Sequence, residues 1–184
     1  MKRNFIFAAV LTLFVMAVSV SAQKASYAGT WTLDIARSKL GERVMVESQT
    51  LTVVQSDKDI KVSTATKRAA PPAGAPGGGG PGGRPAGGSG MGESSLTYAL
   101  DGKEMTTQLE SPMGAVPVKT TGKSDGGKLW LSNSSTRSTP NGDVTVTTKE
   151  SWSLSADGNT LTVDKESVSP RGTTSTQWVY TRKS

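Results

Sequence analysis

The feature that most constrains this chain is a succession of turn dipeptides set between short runs of Val, Thr, Leu and aromatic residues. The turns are Asp57-Lys58, Asp101-Gly102, Pro112-Met113, Asp125-Gly126, Asn141-Gly142, Asp157-Gly158 and Arg171-Gly172. Asp-Gly and Asn-Gly are the strongest signals, because a type I′ turn needs positive φ at both central positions. Short runs of this composition at such spacing predict an all-β sandwich or barrel. The predicted strands are Gly29 to Asp34, Glu47 to Ser56, Asp59 to Lys67, Ser94 to Leu100, Lys103 to Glu110, Ala115 to Ser124, Lys128 to Ser135, Asp143 to Leu154, Thr160 to Ser169 and Thr174 to Arg182.

Two-residue loops fix register, so the turns can be tested against one another. A loop at Asp157-Gly158 sets Leu154 against Leu161, Trp152 against Val163 and Glu150 against Lys165. A loop at Asn141-Gly142 sets Leu129 against Leu154, Leu131 against Trp152 and Asn133 against Glu150, on the same face. Arg171-Gly172 adds Val163 against Tyr180 and Lys165 against Trp178. Asp101-Gly102 pairs Tyr98 with Met105 and Leu96 with Thr107, leaving Thr97, Ala99, Glu104 and Thr106 on the opposite face, and Asp57-Lys58 pairs Val53 with Val62. Loops at Pro112-Met113 and Asp125-Gly126 bring Val116 and Val118 to the apolar face as well.

The result is one antiparallel meander, apolar on one side and rich in Thr, Ser and Lys on the other. Such a sheet must curl to hide its apolar face and its edges. A two-sheet sandwich is the main competitor. A single up-and-down barrel of about ten strands is preferred, because nearly every connection is a tight hairpin and Greek-key sandwiches need longer crossings. The link from Asp34 to Val46 has room for one short helix through Ile35 to Leu40.

The ends of the sequence and one internal segment set the domain limits. Lys2 and Arg3 precede an apolar run from Phe5 to Val18, and Val20-Ser21-Ala22 supplies small residues before Gln23, so residues 1–22 read as a signal peptide. The run is too short to span a bilayer. Export to the periplasm or beyond is the expectation, with no membrane span in the mature form. Residues 23–184 then form one domain. Within it, residues 69–92 are almost wholly Gly, Pro and Ala, a composition that reads as a disordered loop inside the domain. Cysteine is absent, so packing alone must hold the fold. Without Lys2 and Arg3, 19 basic residues face 15 acidic ones and are scattered, which gives no support to a nucleic-acid groove.

Two segments carry a resemblance. Tyr27-Ala28-Gly29-Thr30-Trp31-Thr32-Leu33 resembles the Gly-x-Trp opening of calycins, the group joining lipocalins and fatty-acid-binding proteins. Trp178-Val179-Tyr180-Thr181-Arg182-Lys183 resembles their closing strand, and the run Glu150 to Val163 looks like small exported bacterial lipocalin-like proteins. The resemblance implies a barrel whose base is closed by Trp31 stacked under Arg182. It also implies a small hydrophobic or amphipathic ligand in the interior. Fatty-acid-binding proteins hold a carboxylate with an Arg-x-Tyr pair on the last strand; this chain keeps Tyr180 but has Trp178 in place of that Arg, and its first link is too short for a two-helix lid.

The candidate ligand residues follow from the inward phase. Asn133, Glu150 and Lys165 fall side by side under the inferred registers, with Trp178 and Tyr180 beside them and Tyr98, Met105, Leu131 and Trp152 among the apolar lining. An apolar pocket with a few convergent polar groups suits a small molecule. Leu51, Val53, Leu96, Val118, Leu129 and Val163 complete the interior, and an ion pair in a packed core is the competing reading of the polar row. Trp130 falls on the outer face as a candidate partner contact. The chain holds no His and no Cys, which removes the commonest general base and the usual transition-metal ligands. No catalytic set, metal or cofactor is therefore expected, and a monomer is. Three readings are to be separated: a carrier of a small, partly apolar molecule, an envelope module whose barrel core is merely packed, and, least favoured, an enzyme using Glu150 as general base.

Overall fold

The computed structural model describes residues 25–41, 44–68, 91–109, 115–140 and 142–183. The signal-peptide reading of 1–22 and nearly all of the predicted loop at 69–92 lie outside them. Ten strands form one antiparallel sheet: β1 Gly29–Leu33, β2 Val46–Gln55, β3 Asp59–Arg68, β4 Met91–Ala99, β5 Met105–Leu109, β6 Val116–Asp125, β7 Lys128–Thr139, β8 Gly142–Leu154, β9 Thr160–Ser169 and β10 Gly172–Arg182. Their order in space is β4-β3-β2-β1-β10-β9-β8-β7-β6-β5, so the first and last strands pair with each other and the meander wraps into a nearly closed barrel. No helix forms in the Asp34 link. There the Asp34 carboxylate accepts from the Arg37 backbone N–H, giving a single turn, and Lys39 then pairs with Gln177, which extends the sheet beyond the end of β1.

The period-two alternation survives around the barrel. Leu51, Val53, Ile60, Tyr98, Val118, Leu129, Leu131, Trp152, Leu161, Val163 and Tyr180 are buried on the inner face, and Trp130 is exposed on the outer one. Register is a separate matter. The predicted pairs Val53–Val62, Trp152–Val163, Leu154–Leu161 and Glu150–Lys165 form, although the β8–β9 turn closes at Ser155 and Thr160 with a four-residue loop. Leu109 pairs with Val116, the register that a loop at Pro112-Met113 gives; residues 110–114 are outside the described set.

Three other hairpins are displaced by two residues. Thr139 pairs with Gly142, Ser169 with Gly172 and Asp125 with Lys128. The first loop therefore lies between Thr139 and Gly142 and the other two at 170–171 and 126–127, each one residue away from the predicted dipeptide. Leu129 consequently faces Trp152, Leu131 faces Glu150 and Asn133 faces Thr148; Val163 faces Trp178 and Lys165 faces Thr176. Proline explains two of these slips: its fixed φ suits the first central position of an ordinary turn, which draws the turn back onto Pro140 and Pro170. Gly142 and Gly172 then take φ of 104° and 117° just after the turn. At the third, Gly126 and Gly127 adopt φ of 57° and 78°, the pair of positive values that Asp125 would have resisted. A two-residue slip leaves every side chain on its own face.

The Asp101-Gly102 hairpin is a correction of another kind. β4 and β5 are the two sheet edges and do not pair, so Tyr98 does not face Met105 and Leu96 does not face Thr107. After β4 the chain drops onto the lower part of β6 instead: Gly102 N–H donates to Gly122 O at 2.9 Å, and Asp101 bridges to Lys123. The buried Thr120 hydroxyl donates to Thr97 O at 2.7 Å. This close approach requires Gly122, since a Cβ there would lie 2.8 Å from Ala99 O and 3.1 Å from Tyr98 Cβ.

Replacing Gly122 with Val should therefore destabilise the protein by about 1–3 kcal/mol, read as a lower urea midpoint. Gly92→Ala, where an added Cβ meets nothing within 4 Å, should stay within about 0.5 kcal/mol of the parent.

Candidate functional site

The site is best understood from the end of the barrel that is not available for it. At the lower end, Trp31 is fully buried and its Nε1–H donates to Tyr27 O at 2.9 Å. The Arg182 guanidinium lies over the indole at 4.2 Å, donating to Gly158 O at 3.0 Å and Ala28 O at 2.7 Å. Gly29 is the reason it fits, because a Cβ there would stand 2.7 Å from Arg182 Nη1. Tyr27 packs edge-on against Trp152 at 6.0 Å between ring centroids, and its hydroxyl reaches Gly127 O and Trp152 O. Leu33, Leu51, Val53, Ile60, Leu129 and Leu161 fill the space between. This half is solid core.

The upper half is different because its inward positions are polar. Past Leu51 and Val53, β2 turns Gln49 inward; past Val62, β3 offers Thr64 and Thr66; on β8 and β9 the inward residues become Glu150 and Lys165. A cavity of about 230 Å³ opens there, bordered by Gln49, Leu51, Thr64, Thr66, Ser94, Glu150, Trp152, Val163, Lys165, Trp178 and Tyr180. Lys165 and Trp178 also border a wider recess of about 600 Å³ that runs up to Leu40, Gly41 and Val44 of the first link and to the β9–β10 turn. The two spaces share those two residues in their walls.

The polar groups around the cavity are ordered by one another. Lys165 Nζ lies 3.3 Å from Glu150 Oε1, with side-chain exposures of 37% and 14%, and Trp152 Nε1–H donates to Glu150 Oε2 at 2.9 Å. Both carboxylate oxygens are thus engaged. An ammonium has three donors, so Lys165 keeps capacity beyond this pair. Trp178 and Tyr180 stack at 6.5 Å with 12° between planes; Trp178 Nε1–H donates to Thr176, and the Tyr180 hydroxyl donates to Gln49 Oε1 at 2.6 Å. Burial first, and then the Glu150 charge, hold the phenols of Tyr98 and Tyr180 protonated well above the usual tyrosine range. Tyr27, remote from that charge, is pushed up to about 12 by burial.

Of the nine residues that the sequence nominates, Glu150, Trp152, Lys165, Trp178 and Tyr180 border this cavity. Tyr98 and Leu131 are buried core residues that do not border it. Asn133 does not join the Glu150–Lys165 row: the register slip moves it opposite Thr148, and its Nδ2 reaches the Tyr98 hydroxyl at 3.3 Å instead. Met105 pairs with the buried Thr120 and so keeps the inner-face phase, but it stands 37% exposed on the edge strand β5 and does not border this cavity. Gln49, Thr64, Thr66 and Ser94 were missed. Their signal lay in the phase that already turned Leu51 and Val53 inward, extended two to four residues along each strand. Among the described residues no group of three or more Asp or Glu is placed to hold a metal ion, and no helix is long and apolar enough to cross a membrane.

Comparison with known proteins finds no matching family model and no matching curated protein. Among solved structures the chain is similar to zebrafish ileal bile acid-binding protein crystallised with cholic acid, at 14% identity and a TM-score of 0.48, over 85% of this chain and 98% of that one.

The buried tyrosines give a measurable pH dependence. All three tyrosines of the chain have raised values, so their contribution to stability is complete below pH 10 and is lost as pH rises through the folded-state values. Tyrosinate absorbance should stay low at about pH 11 and then appear together with loss of the tryptophan tertiary signal. A reversible tyrosine titration near pH 10 in folded protein would contradict this.

Proposed function

We propose that this chain is an exported binding protein that takes a small amphipathic molecule into the upper half of its barrel. The observation that supports this reading is the unfilled space around Lys165 and Trp178, bordered by an ion pair on one side and stacked aromatic rings on the other. An apolar ring or short chain of the ligand lies against Trp178 and Tyr180. Its anionic or carbonyl oxygen takes the remaining donors of Lys165. Export rests on Lys2, Arg3, the apolar run after them and the Val20-Ser21-Ala22 site.

A long fatty acyl chain is a poor match. The lower half is filled by Trp31, Trp152 and the aliphatic side chains around them, so no apolar tunnel extends to the base. That filled base also favours the second reading, an envelope module with no interior ligand.

Native mass spectrometry of protein purified from its source separates the two. A small mass released on denaturation is expected; a bare protein mass favours the packed module. In vitro, the probe is 8-anilinonaphthalene-1-sulfonate, which joins a fused ring to an anion. Its binding should weaken roughly tenfold in Trp178→Ala and in Lys165→Met, a loss of about 1.4 kcal/mol each, and should be unchanged in Trp130→Ala. Equal binding by all three variants would overturn the assignment of the site.

A further inference from the structure

A second recess lies on the outside of the barrel, on the face opposite the cavity. Its main feature is Trp130, 48% exposed and the one exposed aromatic ring among the described residues. The strand registers place it in a continuous transverse row: Trp130 pairs with Ser151, Ser151 with Asp164, Asp164 with Gln177, and Gln177 with Lys39 of the first link. Lys149, Glu166 and Ser175 form the next row above it. Together these residues border a depression of about 560 Å³, to whose lining the inner-face residues Glu150, Lys165 and Thr176 also contribute. From Trp130 to Lys39 is four strand spacings, roughly 19 Å.

The chemistry of this row is specific. Ser151, beside Trp130, is small and leaves that side of the indole open. Next to it the Asp164 carboxylate accepts from Gln177 Nε2 at 2.8 Å, which fixes an amide and a carboxylate side by side in the floor. Lysine ammoniums stand at the far end and in the next row. The acids and bases lining the depression balance, and no other large apolar side chain is among them. A protein-binding hot spot would set an exposed Trp among further apolar groups at the centre of a larger patch. A bare indole face surrounded by hydroxyl, carboxylate, amide and ammonium groups instead suits a ligand with one apolar face and a rim of hydroxyls.

We infer that this outer row, centred on Trp130, is a saccharide-binding site. A pyranose ring meets the description only when its hydroxyls are equatorial, because its C–H face is then flat enough to lie on the indole. Linear β-1,4-linked gluco-configured chains present such faces repeatedly along an extended ribbon. One ring stacks on Trp130, and the following units cross Ser151 towards Asp164, Gln177 and Lys39.

Cellotetraose and chitotetraose are the probes, measured by isothermal titration calorimetry and by tryptophan fluorescence on the mature protein. At least one should bind with a millimolar or tighter Kd, and Trp130→Ala should weaken it at least about tenfold. Asp164→Ala should also weaken it, whereas Trp178→Ala, inside the barrel, should leave it unchanged. Trp130 and Asp164 lie outside the core, so both variants should keep the parent unfolding midpoint. No binding of either tetrasaccharide at millimolar concentration, binding that survives Trp130→Ala, or capture of a protein through Trp130 without saccharide binding would each overturn the inference.

Discussion

The contact on which the rest of the barrel depends is the stack of Arg182 over Trp31. It joins the first strand to the last, and that pairing makes all ten strands one continuous sheet with β4 and β5 at its edges. The pair's own cation–π attraction is worth only about 0.5–2 kcal/mol. Its larger effect is geometric: the guanidinium also holds Ala28 O and Gly158 O, tying the entry to β1 and the β8–β9 turn to the C-terminal strand. Tyr27 and Trp152 complete the layer. A chain without cysteine has concentrated its large side chains at one end, and the opposite end is thereby released from packing duty.

That division explains why the upper half can be polar. Gln49, Thr66, Glu150 and Lys165 all point inward, yet none of the buried polar side-chain atoms among the described residues lacks a partner. Each group is satisfied by a neighbour or faces the open space. An ion pair at this depth adds little to stability, because desolvation offsets the Coulomb attraction. Its better-founded consequence is orientation: with both Glu150 oxygens taken, the charge that remains directed to the cavity is that of Lys165.

How much of this was legible in the sequence follows from a difference between phase and register. Apolar alternation fixes which side of the sheet a residue faces, and Leu51, Leu129, Trp152 and Val163 were placed correctly on that ground. Register depends on where a turn closes, which dipeptide signals decide less well when Pro or a second Gly stands beside them. Pro140, Pro170 and Gly127 each moved a loop by one residue. A barrel tolerates such slips because they move partners by two, so the inner face is conserved while its neighbours change. The polar row was accordingly half right: Glu150 and Lys165 meet, and Asn133 does not. The failure at Asp101-Gly102 has another origin. Nothing local announces that Gly122, twenty residues on, lacks the side chain that would have kept β4 away.

The two tryptophans Trp130 and Trp178 show the same alternation acting on function. Trp178 faces inward beside Lys165, in a space that core packing leaves open; Trp130 faces outward, where packing makes no demand on it. A core role accounts for Trp31 and Trp152, which are completely enclosed and bonded at Nε1. It does not account for Trp130. Replacing an outward strand residue by Thr would retain β-propensity without leaving an indole in water. The exposed ring therefore has no structural debt to the barrel wall, and the hydroxyl, amide and charged groups arrayed across the next three strands supply the complementary half of a recognition surface.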